Sequence, residues 1–184
     1  TRSGKQNEEI FDVNSGNHFT DLYITYKDLK NESWMESKLL KFSKSKTNQI
    51  TIGKSNDIEK VFFTNEEKNT KGGNTISYSR KKQNFSYAKE FLELSGFNIS
   101  SLMITDDGQN LFFSSNKSGG YGGEDLWVCK RENNSWSKPT NMGASINSQY
   151  DEICPFLHAD GMTFFYSSNG ENSIGGYDVF FNQK

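Results

Sequence analysis

Proline and cysteine are each present only twice in this 184-residue chain, and the other shortages are as informative. Two prolines suit a chain of strands, because a residue without an N–H interrupts a β ladder. Cys129 and Cys154 permit one disulfide, and only in an oxidising compartment. Repeat register sets them on strands that are not neighbours, so two separate buried thiols are expected. His18 and His158 are the only histidines, and neither has a partner at metal-ligand spacing, so no zinc site is expected. Arg2, Arg80 and Arg131 are the only arginines, which serves anionic substrates poorly. No window approaches the roughly 18 apolar residues of a membrane span, and no signal peptide leads the chain. A processed or trimmed start would account for the latter. The net charge of −2 argues against a nucleic-acid or anionic-membrane surface. The basic stretches Lys38 to Lys46 and Arg80-Lys81-Lys82 fall in expected loops or hairpins and read as solvated faces.

What the chain has in quantity is aromatic residues, at 14%, and a repeat. The segment Ile104 to Asn116, containing Asp106-Asp107-Gly108 and Leu111-Phe112-Phe113-Ser114-Ser115-Asn116, returns as Leu157 to Asn169, containing Ala159-Asp160-Gly161 and Phe164-Phe165-Tyr166-Ser167-Ser168-Asn169. The shift is 53 residues. Gly122-Gly123-Glu124-Asp125-Leu126-Trp127-Val128 returns at the same shift as Gly175-Gly176-Tyr177-Asp178-Val179-Phe180-Phe181. Weaker copies lie upstream. Asp57 to Asn65 matches Asp107 to Ser115 at a shift of 50, with Ile58 in place of glycine, and Gly72-Gly73-Asn74-Thr75 matches the second motif with Thr75 in place of aspartate. Asp21-Leu22-Tyr23-Ile24 is a further copy. Periods of this length mean solenoids, propellers or arrays.

Within each period the apolar runs are short, rich in Phe, Tyr, Trp and Val, and bounded by Gly, Asn, Asp and Ser, which is the pattern of strands and turns. Asp107-Gly108 and Asp160-Gly161 are expected as two-residue hairpin turns. Leu111 to Phe113 and Phe164 to Tyr166 read as strands covered on both faces. A fourth strand is expected from Trp136 or Trp34 toward Asn141-Met142-Gly143. Tyr87 to Leu94 favours helix by composition, yet its position in the repeat assigns it to a fourth strand. Four short strands in about 50 residues make one blade of a β-propeller. The expected fold is therefore all-β, a propeller segment of about three four-stranded antiparallel blades. Its limits are a partial blade 1–48, blades 49–98 and 99–151, and a partial blade 152–184. Both ends fall inside a repeat and no capping unit is visible, so the chain is expected to be a segment of a larger protein and propeller.

These residues also resemble a known family. Ser145-Ile146-Asn147-Ser148-Gln149-Tyr150-Asp151-Glu152, then Pro155-Phe156, Asp160-Gly161, Phe164 to Gly170 and Gly175-Gly176-Tyr177-Asp178-Val179-Phe180 resemble the TolB-like propeller repeat. The version in Bacteroidetes envelope proteins, set between helical repeats and an OmpA-type domain, is the closer likeness; some members belong to the type IX secretion and gliding apparatus. Thr1 to Lys5 with Phe19 to Tyr23 also looks like the first blade of those proteins. The resemblance implies a periplasmic or outer-membrane-associated location and an envelope or secretion-machinery protein as partner. This chain has neither flanking unit, so peptidoglycan binding does not carry over.

Catalytic chemistry finds little support. Asp106-Asp107, Glu124-Asp125 and Asp151-Glu152 are paired carboxylates, but the alternating oxygen ligands of a calcium loop are missing. Asp107, Asp125, Asp160 and Asp178 recur at one register and read as turn caps and inter-blade hydrogen-bond acceptors. Gly119 to Gly123 lacks the ending of a phosphate-binding loop and leads into a strand. Neither cysteine has a nearby base. No enzyme activity, cofactor or metal is expected. Tyr121, Tyr150 and Tyr177 lie in or beside loops, where aromatics either stack on sugars and anchor partners or pack between blades. The residues expected to form a binding face are Tyr121, Glu124, Tyr150, Asp151, Glu152 and Tyr177. The competing reading is a glycan-binding or glycan-cleaving propeller, which requires a polar, aromatic-lined pocket with convergent charges.

Overall fold

The computed structural model describes residues 22–25, 27–28, 30–40, 48–54, 60–66, 75–80, 88–94 and 96–183. Several expectations lie outside them: the Thr1 to Asp21 motif with His18, the turn near Asp57, the Gly72 to Asn74 loop, Lys81-Lys82 and Tyr87.

The described residues form four antiparallel sheets. β1 (Tyr23–Ile24) pairs with β2 (Lys38–Leu39). β3 (Asn48–Lys54), β4 (Lys60–Glu66), β5 (Thr75–Arg80) and β6 (Ala88–Glu90) form a second sheet in that order. The third holds β7 (Ile99–Ile104), β8 (Asn110–Ser115) and β9 (Asp125–Glu132), with β10 (Ser135–Trp136) and β11 (Thr140–Asn141) sharing the far edge of β9. The fourth holds β12 (Glu152–Leu157), β13 (Thr163–Ser168) and β14 (Asp178–Gln183). First strands meet first strands, β7 lying against both β3 and β12. Up-and-down sheets meeting through their innermost strands are the construction of a partial β-propeller.

Alternation along each strand explains why the sheets stack. On β8, Leu111 and Phe113 point toward the second sheet and join a core with Phe62, Ile76, Tyr78, Phe91, Trp127 and Cys129. Phe112 points the other way, 5.0 Å ring to ring from Phe164 on the fourth sheet, in a smaller core with Leu126. Each fully buried Phe contributes roughly 1.5–3 kcal/mol by removal from water. At a shift of 53, the face of Met103, Phe112, Leu126 and Val128 becomes Phe156, Phe165, Val179 and Phe181. There the rings form a ladder, Phe156–Phe165 at 6.2 Å and Phe165–Phe181 at 6.1 Å. Among the described residues nothing covers it, and Val179 and Phe181 are 72% and 67% exposed. The expectation of strands covered on both faces therefore holds for β8 but not for β13.

Local chemistry corrects other expectations. The Asp107-Gly108 and Asp160-Gly161 hairpins are not two-residue turns. Thr105 N–H bonds Asn110 O at 2.9 Å and His158 N–H bonds Thr163 O at 2.9 Å, so each connection holds four residues, with Gly108 and Gly161 at φ +67° and +69°. The aspartate forces the longer loop by accepting hydrogen bonds from the residues after it: Gln109 N–H to Asp107 at 2.9 Å, and Met162 and Thr163 N–H to Asp160, both at 2.8 Å. The two-residue turn is Asn133-Asn134 instead, at φ +47° and +75° between paired Glu132 and Ser135. The fourth strand of the third sheet is split, because Pro139 between β10 and β11 has no N–H for the ladder. The other proline, Pro155, sits beside Cys154 (φ +55°) in a bulge of β12. Both cysteines are free, but only Cys129 is buried; the bulge turns Cys154 to solvent. Ala88 to Glu90 is a strand and Leu92–Leu94 a 3₁₀ turn, so repeat and propensity each claim part of that segment. Of the basic stretch expected in a loop or hairpin, Lys38 lies in β2, the return arm of the β1–β2 hairpin, and residues 41–46 are outside the described residues. Among the described residues no helix is long and apolar enough to cross a membrane.

Candidate functional site

Strand directions sort the loops into two groups. The Thr105 to Gln109 and His158 to Met162 hairpins and Asn133-Asn134 lie at one end of the sheets. The loop 116–124, the linker 142–151 and the loop 169–177 lie at the other. All six expected binding residues belong to that second end, within those loops or, for Glu152, at the first residue of β12.

The end is built by one linker folding over the mouth of β9. Asn147 takes both sides of the Leu126 peptide edge: its Oδ1 accepts Leu126 N–H at 2.8 Å and its Nδ2 donates to Leu126 O at 2.9 Å. Glu152 N–H donates to Glu124 O at 2.6 Å, and Gly123 N–H to Tyr150 O at 3.2 Å. Asp151 Oδ1 accepts Glu124 N–H at 2.8 Å, while its Oδ2 accepts the Tyr177 hydroxyl at 3.0 Å and Asn169 Nδ2 at 3.0 Å. Asp151 thus ties three loops together. These donors, the Glu124 amide first, hold its carboxyl below the ordinary range. Desolvation, and then the hydrogen bond to Asp151, push the Tyr177 hydroxyl up.

Glu124, Asp151 and Tyr177 therefore form one network, which joins Tyr150 and Glu152 through the linker backbone. Tyr121 stands apart, and only its backbone is fixed: its N–H donates to both oxygens of Asp125 at 3.0 Å. One period later Ile174 N–H donates to Asp178. These aspartates cap their own turns, as their register indicated, but the inter-blade bonding also expected of Asp107, Asp125, Asp160 and Asp178 falls to Asp151 instead. Tyr121 and Tyr177 present exposed rings, 54% and 49% accessible. Glu152 faces inward, 1% exposed, accepting from Ser148 N–H at 2.9 Å, Ser148 Oγ at 2.6 Å and Ser168 Oγ at 3.1 Å. Beside it a cavity of about 480 Å³ opens between the linker and the fourth sheet, walled by Tyr150, Tyr166 and Phe180.

Sequence reasoning did not single out Asn147, Asn169 and Ser148, which hold this end in shape. Asn169 carried a signal, since it recurs from Asn116 at the common shift. Among the described residues no three His, Cys, Asp or Glu side chains converge to hold a metal ion. His158 lies in a hairpin with Nδ1 3.1 Å from Asp160 Oδ2.

No family model and no curated protein matches the chain. Among solved structures the chain is similar to TolB from Acinetobacter baumannii, with a TM-score of 0.55 and 19% identity over 88% of this chain. The match spans 35% of that protein's length. At this identity the likeness bears on architecture, and it agrees with the sheet order: the chain has a TolB-like, partial β-propeller fold.

Proposed function

We propose that this chain is a non-catalytic interaction scaffold of the bacterial cell envelope, whose loop end binds another envelope or secretion-machinery protein. The observation that carries the proposal is the Asp151 hub. One carboxylate joins loops from two successive sheets and anchors the exposed Tyr177 directly, while Asp125 fixes the backbone of Tyr121 in the loop that the hub holds through Glu124. Exposed aromatics on a pre-ordered frame lose little entropy on binding and make effective anchors. The binding face comprises Tyr121, Glu124, Tyr150, Asp151 and Tyr177, with Glu152 buried beneath it as the support of Ser148, and the blades divide at 1–48, 49–98, 99–151 and 152–184. A periplasmic or outer-membrane-associated location is part of the same proposal. Placement in a Bacteroidetes OmpA-type protein, or in type IX secretion and gliding, rests on the sequence resemblance alone.

The test is capture from an envelope extract on the immobilised protein, run beside a glycan array, with wild type and with Tyr121→Ala combined with Tyr177→Ala. The expected result is a defined envelope protein retained through a high-salt wash, much reduced by the double variant, and a blank array. Saturable glycan binding lost in the double variant would replace the scaffold reading with the glycan one.

A further inference from the structure

The repeat compares one position in two states. In the third sheet Lys117 lays its ammonium over two rings, 5.9 Å from the centroid of Phe97 and 5.0 Å from that of Trp127. Phe97 also packs on Phe113 at 6.0 Å. At the common shift of 53, Phe97 becomes Tyr150, Phe113 becomes Tyr166, Trp127 becomes Phe180 and Lys117 becomes Gly170. All four replacements line the 480 Å³ cavity. The aromatic walls are therefore kept, with Tyr166 and Phe180 stacked at 5.9 Å, while the chain's own cation is missing. A Cβ built on Gly170 would lie 3.4 Å from the Tyr150 ring, so a side chain at 170 would start against that ring.

Charge agrees with the shape. The counterpart of the buried, apolar Ile99 is Glu152, and Glu171 stands at the mouth with an oxygen 3.5 Å from the Tyr150 hydroxyl. Among the described residues no basic side chain lines the cavity. Aromatic faces attract cations, more strongly where water is excluded, and two carboxylates add to that field.

We propose that this cavity binds an organic cation of the alkylammonium kind, occupying the place that Lys117 fills one repeat earlier. Either a lysine side chain of a bound protein or a free amine supplies that chemistry. Tyr150 is shared with the proposed binding face and Glu152 lies beneath it, but the inference does not depend on that reading, because it is tested with small probes in the absence of a protein partner.

The experiment is a titration of the ¹⁵N-labelled protein, followed by its amide resonances, with three probes: N-acetyl-lysine methylamide, butylammonium, and the neutral isostere N-acetyl-norleucine methylamide. The expected result is saturable movement of the Ser148, Tyr150 and Gly170 amides with a cationic probe and none with norleucine. Binding of both cations identifies the ammonium as sufficient; binding of the lysine probe alone identifies a protein-borne lysine. Gly170→Lys, which restores the chain's own cation, is expected to abolish binding, and Tyr150→Ala to weaken it by about 2- to 30-fold. Glu171→Gln changes only an exposed carboxylate and is expected to weaken binding several-fold without touching the fold. No saturable movement with either cation, equal binding of norleucine, or undiminished binding to Gly170→Lys would overturn the proposal.

Discussion

Single residues here are set by what their neighbours do to charge and access. Burial pushes the Cys129 thiol up to about 11 and hides it, whereas the β12 bulge turns Cys154 outward. Thiolate is the reactive form, so a disulfide-exchange reagent at mildly alkaline pH is expected to label one thiol in the native protein and two after denaturation. Cys154→Ser should abolish the native labelling. Asp151 gives a second residue-scale prediction. Its folded pKa lies below the ordinary 3.8, so its clamp stabilises the fold fully above that value. That contribution is lost as pH falls through the lower folded midpoint. Tyr177→Phe removes one of the donors that lower it, and is expected to move the carboxyl midpoint up, part of the way to the ordinary range, in a ¹³C titration. An unchanged midpoint would mean that the hydroxyl does not reach Asp151 in solution. Residue roles were legible only where the repeat marked them. Asp125 and Asp178 read as turn caps because they recur, while Asn147 acts across a gap of 21 residues that no local pattern reveals.

At the scale of elements, the linker from β11 to β12 decides which glycines matter. A Cβ on Gly122 would lie 2.2 Å from Tyr150 O and 2.6 Å from Ser148 O, whereas one on Gly175, its counterpart in the next period, would meet nothing within 4 Å. Gly122→Ala is therefore expected to destabilise by about 1–3 kcal/mol through forced backbone displacement. Gly175→Ala should stay within about 0.5 kcal/mol in the same denaturant titration. Equal effects would contradict the seating of the linker on the third sheet. Asn147→Ala is expected to cost about 1–3 kcal/mol, because Leu126 N–H loses its acceptor in a buried place. Strand positions were readable from short aromatic runs. The turns were less so, because an aspartate that bonds to the amides after it lengthens a hairpin which Asp-Gly alone predicts to be tight. The split edge strand had a visible cause in Pro139, but its consequence depends on β9 being the strand it pairs with.

For the whole molecule, the repeat period implies the order of the sheets, since consecutive elements pack beside one another, and β7 does lie against both β3 and β12. Sequence alone named residues that all fall at one end of the sheets, but not the Asp151 hub that ties their loops together, because its bonds span 18 to 27 residues. The same geometry leaves the opposite end with the Asp107 and Asp160 hairpins, whose aspartates are occupied by their own turns. A partner-binding scaffold of this build should therefore be one-sided. The direct measurement is site-specific photo-crosslinking in the native envelope, with a photoreactive residue at Tyr121 or Tyr177 on the loop end, or at Asp106 or Met162 on the hairpin end. The loop-end positions are expected to yield one discrete protein adduct and the hairpin-end positions none. Adducts from the hairpin end instead, or none from the loop end, would contradict the assignment of function to that face.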